Sequence, residues 1–258
     1  MIRGIWDRET VALLLLAAML PMAVAWLSWG GWDAAARLVL CLLIAGIWHL
    51  VWMLARAQPP SFAGALTALA IAILAPQDLG LIQLGLGISF GVVMGELAFG
   101  GWGRNVLNPA TVTLAFLGFG FPAAPWPELP VQLGWAVLPA ALIGVAAGVM
   151  SLRLLLGAAA ALALAAWAGV ALGDVQTALA VVLVLLVADP VASAATPAGR
   201  WMNGALYGGV ASLFAAAWVG AAPVQIAVSA ALLSSLAAPL LDEVVIALWL
   251  ARRSRRLG

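Results

Sequence analysis

The sequence predicts an all-α polytopic membrane protein with about ten transmembrane helices. Of the 258 residues, 66% are hydrophobic and only 8% are charged, and the mean hydropathy is +1.15. The apolar residues fall in long runs, as membrane-spanning helices require and soluble domains do not. The basic residues also gather in alternate loops, which is the pattern that orients membrane helices.

The charge distribution predicts the topology. If the N-terminus is cytoplasmic, ten of the eleven basic residues, all of them arginine, fall in cytoplasmic segments, and only Arg37 falls towards the outside. The outer loops instead carry Asp33, Asp78, Glu128 and Asp174. This pattern follows the positive-inside rule, so we expect both termini in the cytoplasm. The predicted spans are 10–29, 35–55, 61–75, 81–98, 108–121, 132–150, 154–172, 176–188, 200–220 and 224–246.

An alternative at the N-terminus is a cleaved signal peptide, because Arg3 and Arg8 precede a leucine-rich run and residues 23–25 resemble a cleavage site. Cleavage would leave nine spans and move one terminus outside, while the later loops would keep their sides. Asp7 and Glu9 are unusual in such a leader, so we favour a retained first span.

Two predicted spans are short and occupy corresponding positions in the two halves of the chain. Span three ends in Ala75-Pro76, and span eight ends before Asp189-Pro190. A helix of about 14 residues reaches only about 20 Å, less than the roughly 30 Å hydrocarbon core. Paired short or proline-broken spans are typical of inverted repeats. We therefore predict one membrane domain, 1–258, with two inverted five-helix repeats at 1–125 and 126–258.

Glycines recur every two to four residues in spans four and nine. Small residues at this spacing let helix backbones approach closely, and we expect that packing role here. Close approach to a flat ligand is the alternative. These glycines are Gly85, Gly87, Gly91, Gly95, Gly204, Gly208 and Gly209.

Two non-helical breaks carry the most informative polar residues. The first, GGWGRNVLNPA, holds Asn105 and Asn108 just before Pro109. Non-helical backbone near a membrane is tolerated only where protein or a polar cavity satisfies it. A helix cap before Pro109 would explain Asn108 without a ligand, but it leaves Asn105 unexplained. The second break, 188–200, is predicted on the same cytoplasmic side, so its polar residues are expected to converge with the asparagines: Asp189, Ser193, Thr196 and Arg200.

Glu96 and Asp242 are carboxylates within predicted spans. Such residues are candidates for an ion or proton path, although each lies near enough to a span end to be merely interfacial. His49 and Cys41 are the only histidine and cysteine, so we expect no haem or iron–sulfur ligands and no histidine-rich metal site in this chain. We interpret His49, which lies between two tryptophans, as an interfacial or packed imidazole.

Several motifs resemble one membrane family, the NqrB/RnfD family. Its members are the RnfD proteins of the Rnf electron-transport complex and the NqrB proteins of the sodium-translocating NADH:quinone reductase. The motifs are GISFGVV, FGGWGRNVLNPA, ADPVASAATPAGRW and LLSSLAAPLLD. Thr67, in LTALAIAILAP, matches a threonine on the family's short third span. The resemblance runs in order over about residues 60–256, and it implies ten helices in two inverted repeats in the bacterial inner (cytoplasmic) membrane.

The sequence also departs from the family pattern. Family members usually carry a flavin mononucleotide esterified to a threonine in an outer loop, but here that loop reads GFPAAPWPELP and has no threonine. The run from Ser193 to Thr196 resembles the attachment motif, yet it lies in the cytoplasmic break, so we expect no covalent FMN. Glu96 stands where the family has a lysine, and Ser234 or Ser235 replaces an asparagine.

The resemblance implies a noncovalent flavin, riboflavin or FMN, in the reductase branch of the family. Its predicted site uses the matching positions Thr67, Asn105, Asn108, Pro109 and Asp189. Amides and a carboxylate suit the donors and acceptors of a flavin's pyrimidine edge and ribityl chain. Thr196, from the second break, is a further candidate for this site.

The predicted function is that of one membrane component of an Rnf/Nqr-like electron-transfer complex. Such a component would pass electrons between membrane and peripheral partner subunits in the lipid bilayer, with ion translocation as a further role. It would be at most a non-autonomous part of a membrane oxidoreductase, and no nucleic-acid partner is expected. One alternative is a channel or transporter for a small neutral solute, because broken inverted repeats also build pores. Another is a structural scaffold, in which the breaks serve only packing.

Overall fold

The computed structural model describes residues 7–56 and 61–257, and these described residues form helices and no strands. Arg3, which the charge pattern assigns to the cytoplasm, lies outside the described residues, as do the side chains of Arg56, Arg255 and Arg256. The α-helices are α1 (Arg8–Arg56), α2 (Ala63–Leu74), α3 (Leu81–Gly95), α4 (Pro109–Gly120), α5 (Val131–Ala146), α6 (Leu152–Trp167), α7 (Gln176–Val182), α8 (Pro197–Ala217) and α9 (Pro223–Leu257).

Helix α1 is a hairpin of two predicted spans. Its backbone leaves helical geometry at Gly31, where φ is 57° and ψ is −134°, a conformation that glycine adopts without steric cost. Glu9, near the start of α1, accepts a hydrogen bond from the main-chain N–H of Phe62, just before α2 (3.0 Å). His49, near the other end, packs against Gly64 in the first turn of α2. The two ends of α1 therefore meet at one end of α2.

Arg37 lies after the bend of α1, at the opposite end of α2. Its guanidinium donates hydrogen bonds to the carbonyls of Ala75 and Pro76, where α2 ends in extended backbone. The last carbonyls of a helix have no partners within the helix and carry partial negative charge. This contact gives a structural reason for the one arginine that departs from the predicted cytoplasmic distribution.

The two short helices are the most enclosed elements of the described structure. Ten of the twelve residues of α2 are buried. Helix α7 continues as a π-helical turn, Leu183–Val187, all five of whose residues are buried. π-helical turns are rare overall, and those that occur are often found at functional sites. This turn is therefore a candidate position for a functional site.

The glycines of spans four and nine pack helices together. A Cβ at Gly91 would collide with Thr113 and the Pro109 carbonyl of α4, and one at Gly204 would collide with the Leu154 carbonyl of α6. Not every glycine is used this way, because Gly85 and Gly209 face open space. Close backbone approach at the crowded positions fits the predicted packing role.

The outer surface suits a bilayer. Large apolar side chains are widely exposed, for example Leu20 at 58%, Ile82 at 77% and Leu142 at 69%, which is unusual for a soluble monomer. By length and composition, three helices in the described ranges can cross a membrane: Arg8–Ala55, Leu81–Phe99 and Pro223–Arg253. Five further apolar helices have 10–17 residues. The chain is thus an all-helical polytopic membrane protein, and the inverted relation of its two halves stays a prediction.

Candidate functional site

The first break is a loop shaped by glycines and by Asn105. A short 3-10 helix, Leu97–Phe99, follows α3, and then Gly100, Gly101 and Gly103 adopt φ values of 103°, 95° and 94°. The Asn105 Oδ1 accepts a hydrogen bond from the Gly103 N–H (3.1 Å), and its Nδ2 donates to the Leu107 carbonyl (2.9 Å). Asn105 therefore holds the loop in shape, and its amide is already occupied within it.

Asn108 joins the first break to the second. Its Oδ1 accepts hydrogen bonds from the main-chain N–H groups of Ala110 (2.9 Å) and Thr111 (3.3 Å), which caps α4 as the sequence suggested. Its Nδ2 donates to Asp189 Oδ2 at 2.8 Å. One side chain thus serves as a helix cap and as a bridge between the halves of the chain.

Asp189 lies at the end of the π-helical turn and is only 7% exposed. Its other oxygen, Oδ1, accepts a hydrogen bond from the main-chain N–H of Val191 (2.9 Å), and the indole of Trp102 lies beside the same carboxylate. A buried carboxylate is costly unless it is hydrogen-bonded. These donors hold Asp189 at the junction of the two breaks.

A cleft lies between the breaks and the short helices. Four of the six predicted cofactor residues line it: Thr67, Asn108, Pro109 and Asp189. The remaining walls are Leu15, Met19, Ala63, Leu66, Trp102, Val184 and Leu185. The cavity has a volume of about 20 Å³. The cleft is narrow, with room for a water molecule as the helices stand, so a ring system could enter only if the walls separated.

Thr67 is the cleft residue with spare hydrogen-bonding capacity. It lies on α2 and is 4% exposed, and within the described part of the chain its hydroxyl makes no hydrogen bond. A hydroxyl can donate one hydrogen bond and accept two. Thr67 is therefore free to bind a polar group placed in the cleft.

Thr196 and Asp242 lie together, away from the cleft lining. Thr196 Oγ1 accepts from the Gly199 N–H (3.0 Å), which caps α8, and the same hydroxyl donates to Asp242 Oδ1. Asp242 also accepts from the main-chain N–H groups of Ala195 (2.6 Å) and Thr196 (2.9 Å). Helix α9 is tied to the second break by this carboxylate, which gives both residues a structural role. Arg200 donates to the Ala194 carbonyl of the same break.

Glu96 differs from Asp242 in its surroundings. It is fully buried, and its Oε1 accepts a hydrogen bond from the main-chain N–H of Trp102 (3.2 Å). The nearest basic group is His49, whose Nε2 lies 3.8 Å from the same oxygen. The two predicted path residues, Glu96 and Asp242, therefore bind different partners in different parts of the fold.

The sequence-based predictions missed three features of the cleft. Trp102 lies inside the glycine-rich motif, and an aromatic residue in a break was a signal that could have been used. Val184 and Leu185 face the cleft because of the π-helical turn, which no sequence period predicts. Leu15 and Met19 look like ordinary residues of a membrane span.

The fold and the cleft together define a polytopic helical membrane protein with a polar site where two broken segments meet. The model of the NQR2, RnfD, RnfE family matches residues 2–141, which is more than half of the chain. The chain belongs to this family, as its motifs predicted.

Curated relatives of the chain are named as the B component of Na(+)-translocating NADH-quinone reductase. The relative from Pseudomonas paraeruginosa is 28% identical over 274 residues, covering 84% of this chain and 68% of its own length. The relative from Klebsiella pneumoniae strain 342 is 28% identical over 280 residues, covering 83% and 66%. A shorter match to the Yersinia pestis protein is 43% identical over 81 residues, covering 31% and 20%. This chain spans about two thirds of the length of the first two relatives.

Proposed function

We propose that this chain is an integral membrane subunit of an Rnf/Nqr-like electron-transfer complex and that its cleft holds a noncovalent flavin. The observation that carries the proposal is the cleft itself. It brings Thr67, Asn108 and Asp189 together from three separate segments in a chain whose relatives are named as reductase subunits.

The chemistry of the cleft residues suits a flavin. The ring system of a flavin is flat and aromatic, with hydrogen-bond donors and acceptors along one edge. The cleft offers an indole and aliphatic side chains as walls, and a hydroxyl, an amide and a carboxylate as polar partners. When bound, the flavin would supply the electron-transfer chemistry, and the protein would bind, orient and shield it.

Each polar residue has its own part in this proposal. Thr67 donates to or accepts from the ligand, since its hydroxyl is otherwise unused. Asp189 accepts from a ring N–H, and Asn108 keeps that carboxylate in place through the 2.8 Å hydrogen bond. Asn105 supports the loop that carries Trp102. Direct hydrogen bonding from Asn105 to the ring stays a prediction, and it requires the loop to give up its present bonds.

The cellular setting belongs to the same proposal. We place the protein in the bacterial inner membrane with both termini in the cytoplasm, beside other membrane and peripheral subunits that supply and accept electrons. The relatives are named as part of a Na(+)-translocating NADH-quinone reductase, and an ion-coupled role for this chain extends the proposal. The outer loop at 120–130 has no threonine, so the flavin is held without a covalent bond.

A matched pair of threonine variants tests the proposal. Thr67→Val removes the cleft hydroxyl while keeping the side-chain shape, and no hydrogen bond among the described residues is lost. Thr113→Val removes a hydroxyl of equal size from α4, where it donates to the Pro109 carbonyl (3.0 Å). Removing the hydrogen-bond partner of a buried ligand atom costs about 1–3 kcal/mol of binding free energy, or about five- to 150-fold in affinity.

Affinity for riboflavin and FMN is measured by fluorescence quenching in nanodiscs. We expect Thr67→Val to weaken binding and Thr113→Val to retain it, with both proteins folded. Equal flavin affinity of wild type and Thr67→Val would show that the cleft is not the flavin site. A folded wild type that binds neither flavin would make the solute channel or transporter the better account.

A further inference from the structure

His49 and Glu96 form a buried pair beside the cleft. His49 comes from the second half of α1, and Glu96 follows directly after α3. Their side chains are 13% and 1% exposed, and His49 Nε2 lies 3.8 Å from Glu96 Oε1. That distance is too long for a hydrogen bond, and it lies within the range at which opposite charges favour each other's charged form.

Each member of the pair has an unsatisfied atom. His49 Nε2 and Glu96 Oε2 are both buried, and neither has a hydrogen-bond partner in the described structure. Leaving a buried polar atom unpaired is costly. A proton taken up by the pair is shared between the two facing atoms, Nε2 and Oε1. It gives Nε2 a partner once the side chains approach, and Oε2 stays available as an acceptor. Whether it resides on the imidazole or on the carboxylate, the pair then binds one proton.

The charged groups around the pair come from two other segments. Arg8 and Glu9, in the first half of α1, interact electrostatically with Glu96 and form an ion pair with each other at 3.0 Å. Glu9 also interacts electrostatically with His49. Asp189, in the second break, is a further charge near Glu96. Helix α2 contributes no charged residue and contacts the imidazole through Gly64.

We propose that His49 and Glu96 form a proton-binding site that senses the charge in the cleft. The connection runs through Trp102, whose main-chain N–H donates to Glu96 Oε1 (3.2 Å) and whose side chain lines the cleft with Asp189. The site exists whether or not a flavin occupies the cleft, so it goes beyond the proposed function and does not depend on it.

The single histidine makes a direct test possible. Histidine labelled with ¹⁵N and ¹³C gives signals from His49 alone among the side chains, and its titration is followed by NMR in nanodiscs without flavin. Replacing the carboxylate in Glu96→Gln should move the midpoint to lower pH by about one to three units, because the imidazolium loses its partner. Glu243→Gln, an exposed carboxylate on α9, is the matched control and should leave the midpoint unchanged.

A second variant keeps the test informative if Glu96→Gln does not fold. A Cβ at Gly64 would lie 2.7 Å from His49 Nε2, so Gly64→Ala displaces the ring while keeping both titratable groups. It should also shift the midpoint, because the ring then lies at a different distance from Glu96. Asp189→Asn removes negative charge from the cleft and should lower it as well, by a smaller amount. A midpoint that is the same in wild type and in Glu96→Gln or Gly64→Ala would overturn the pair. An unchanged midpoint in Asp189→Asn would overturn the connection to the cleft.

Discussion

Asn108 donates a hydrogen bond from Nδ2 to Asp189 Oδ2 at 2.8 Å, across a sequence separation of 81 residues. Both side chains are buried, and both line the cleft. The contact joins the break that follows α3 to the break that follows the π-helical turn. The geometry of the cleft therefore depends on one amide–carboxylate pair that also caps α4.

Exchanging the amide and the carboxylate of this pair should restore the stability that either change alone removes. Asn108→Asp keeps the cap oxygen but places a second carboxylate against Asp189, and we expect a loss of about 1–3 kcal/mol in the free energy of unfolding. Asp189→Asn added to it returns one amide and one carboxylate to the junction. Thermal unfolding in detergent measures the outcome. If the double variant is no more stable than Asn108→Asp, the two side chains do not act as a pair.

Glycine-to-alanine changes should separate crowded from open positions on the same helices. Gly91→Ala in α3 and Gly204→Ala in α8 force a methyl group into neighbouring backbone or side chain, so each should cost about 1–3 kcal/mol. Gly85→Ala and Gly209→Ala face open space and should be neutral or stabilising by up to about 1 kcal/mol, since alanine favours helix. A comparable loss at all four positions would contradict the packing account.

The sequence predicted which residues form the site better than it predicted how their side chains are oriented. Thr67, Asn108, Pro109 and Asp189 were named from motifs, and they meet in one cleft. Asn105 and Thr196 belong to the same motifs, but hydrogen bonds within their own breaks occupy them. A motif identifies which residues cluster, and it does not distinguish a side chain that faces a cleft from one that supports the loop.

Helix geometry explains the other differences between sequence and structure. The two helices predicted as spans one and two are both present, and they join at a sharp bend at Gly31. Hydropathy locates apolar segments but carries no information on how sharply they turn. The π-helical turn after α7 was equally invisible, because the residues Leu183–Val187 suit an ordinary α-helix. Tertiary contacts decide such local departures.

The predicted topology can be checked with reporter fusions. Fusions at Asp78, Glu128 and Asp174 should report the outside, and fusions at Arg104 and Arg200 should report the cytoplasm, because arginine-rich segments stay inside. The structure places both breaks at one junction, so Arg104 and Arg200 must agree with each other. Opposite readings at these two positions would contradict both the inverted repeats and the shared face of the two breaks.

Covalent flavin should be absent even when a flavin transferase is present. The expectation follows from the outer loop at 120–130, which has no threonine, and from Thr196, whose hydroxyl is engaged by Asp242 and Gly199. Intact mass spectrometry after coexpression should give the mass of the polypeptide alone. A mass increase of one flavin mononucleotide, mapped by peptide analysis to Thr196, would show that this prediction is wrong.

The central claim is that the cleft between the two breaks holds a noncovalent flavin, and its most direct test is the flavin content of the native protein. The chain is purified gently from its own membranes together with its partner subunits. Flavin is released with acid, identified by chromatography and counted per mole of chain, with flavin from the partners measured separately after they are removed. The account predicts about one riboflavin or FMN per chain, lost in Thr67→Val under the same purification. A folded chain that carries no flavin, or flavin content that Thr67→Val leaves unchanged, would contradict it.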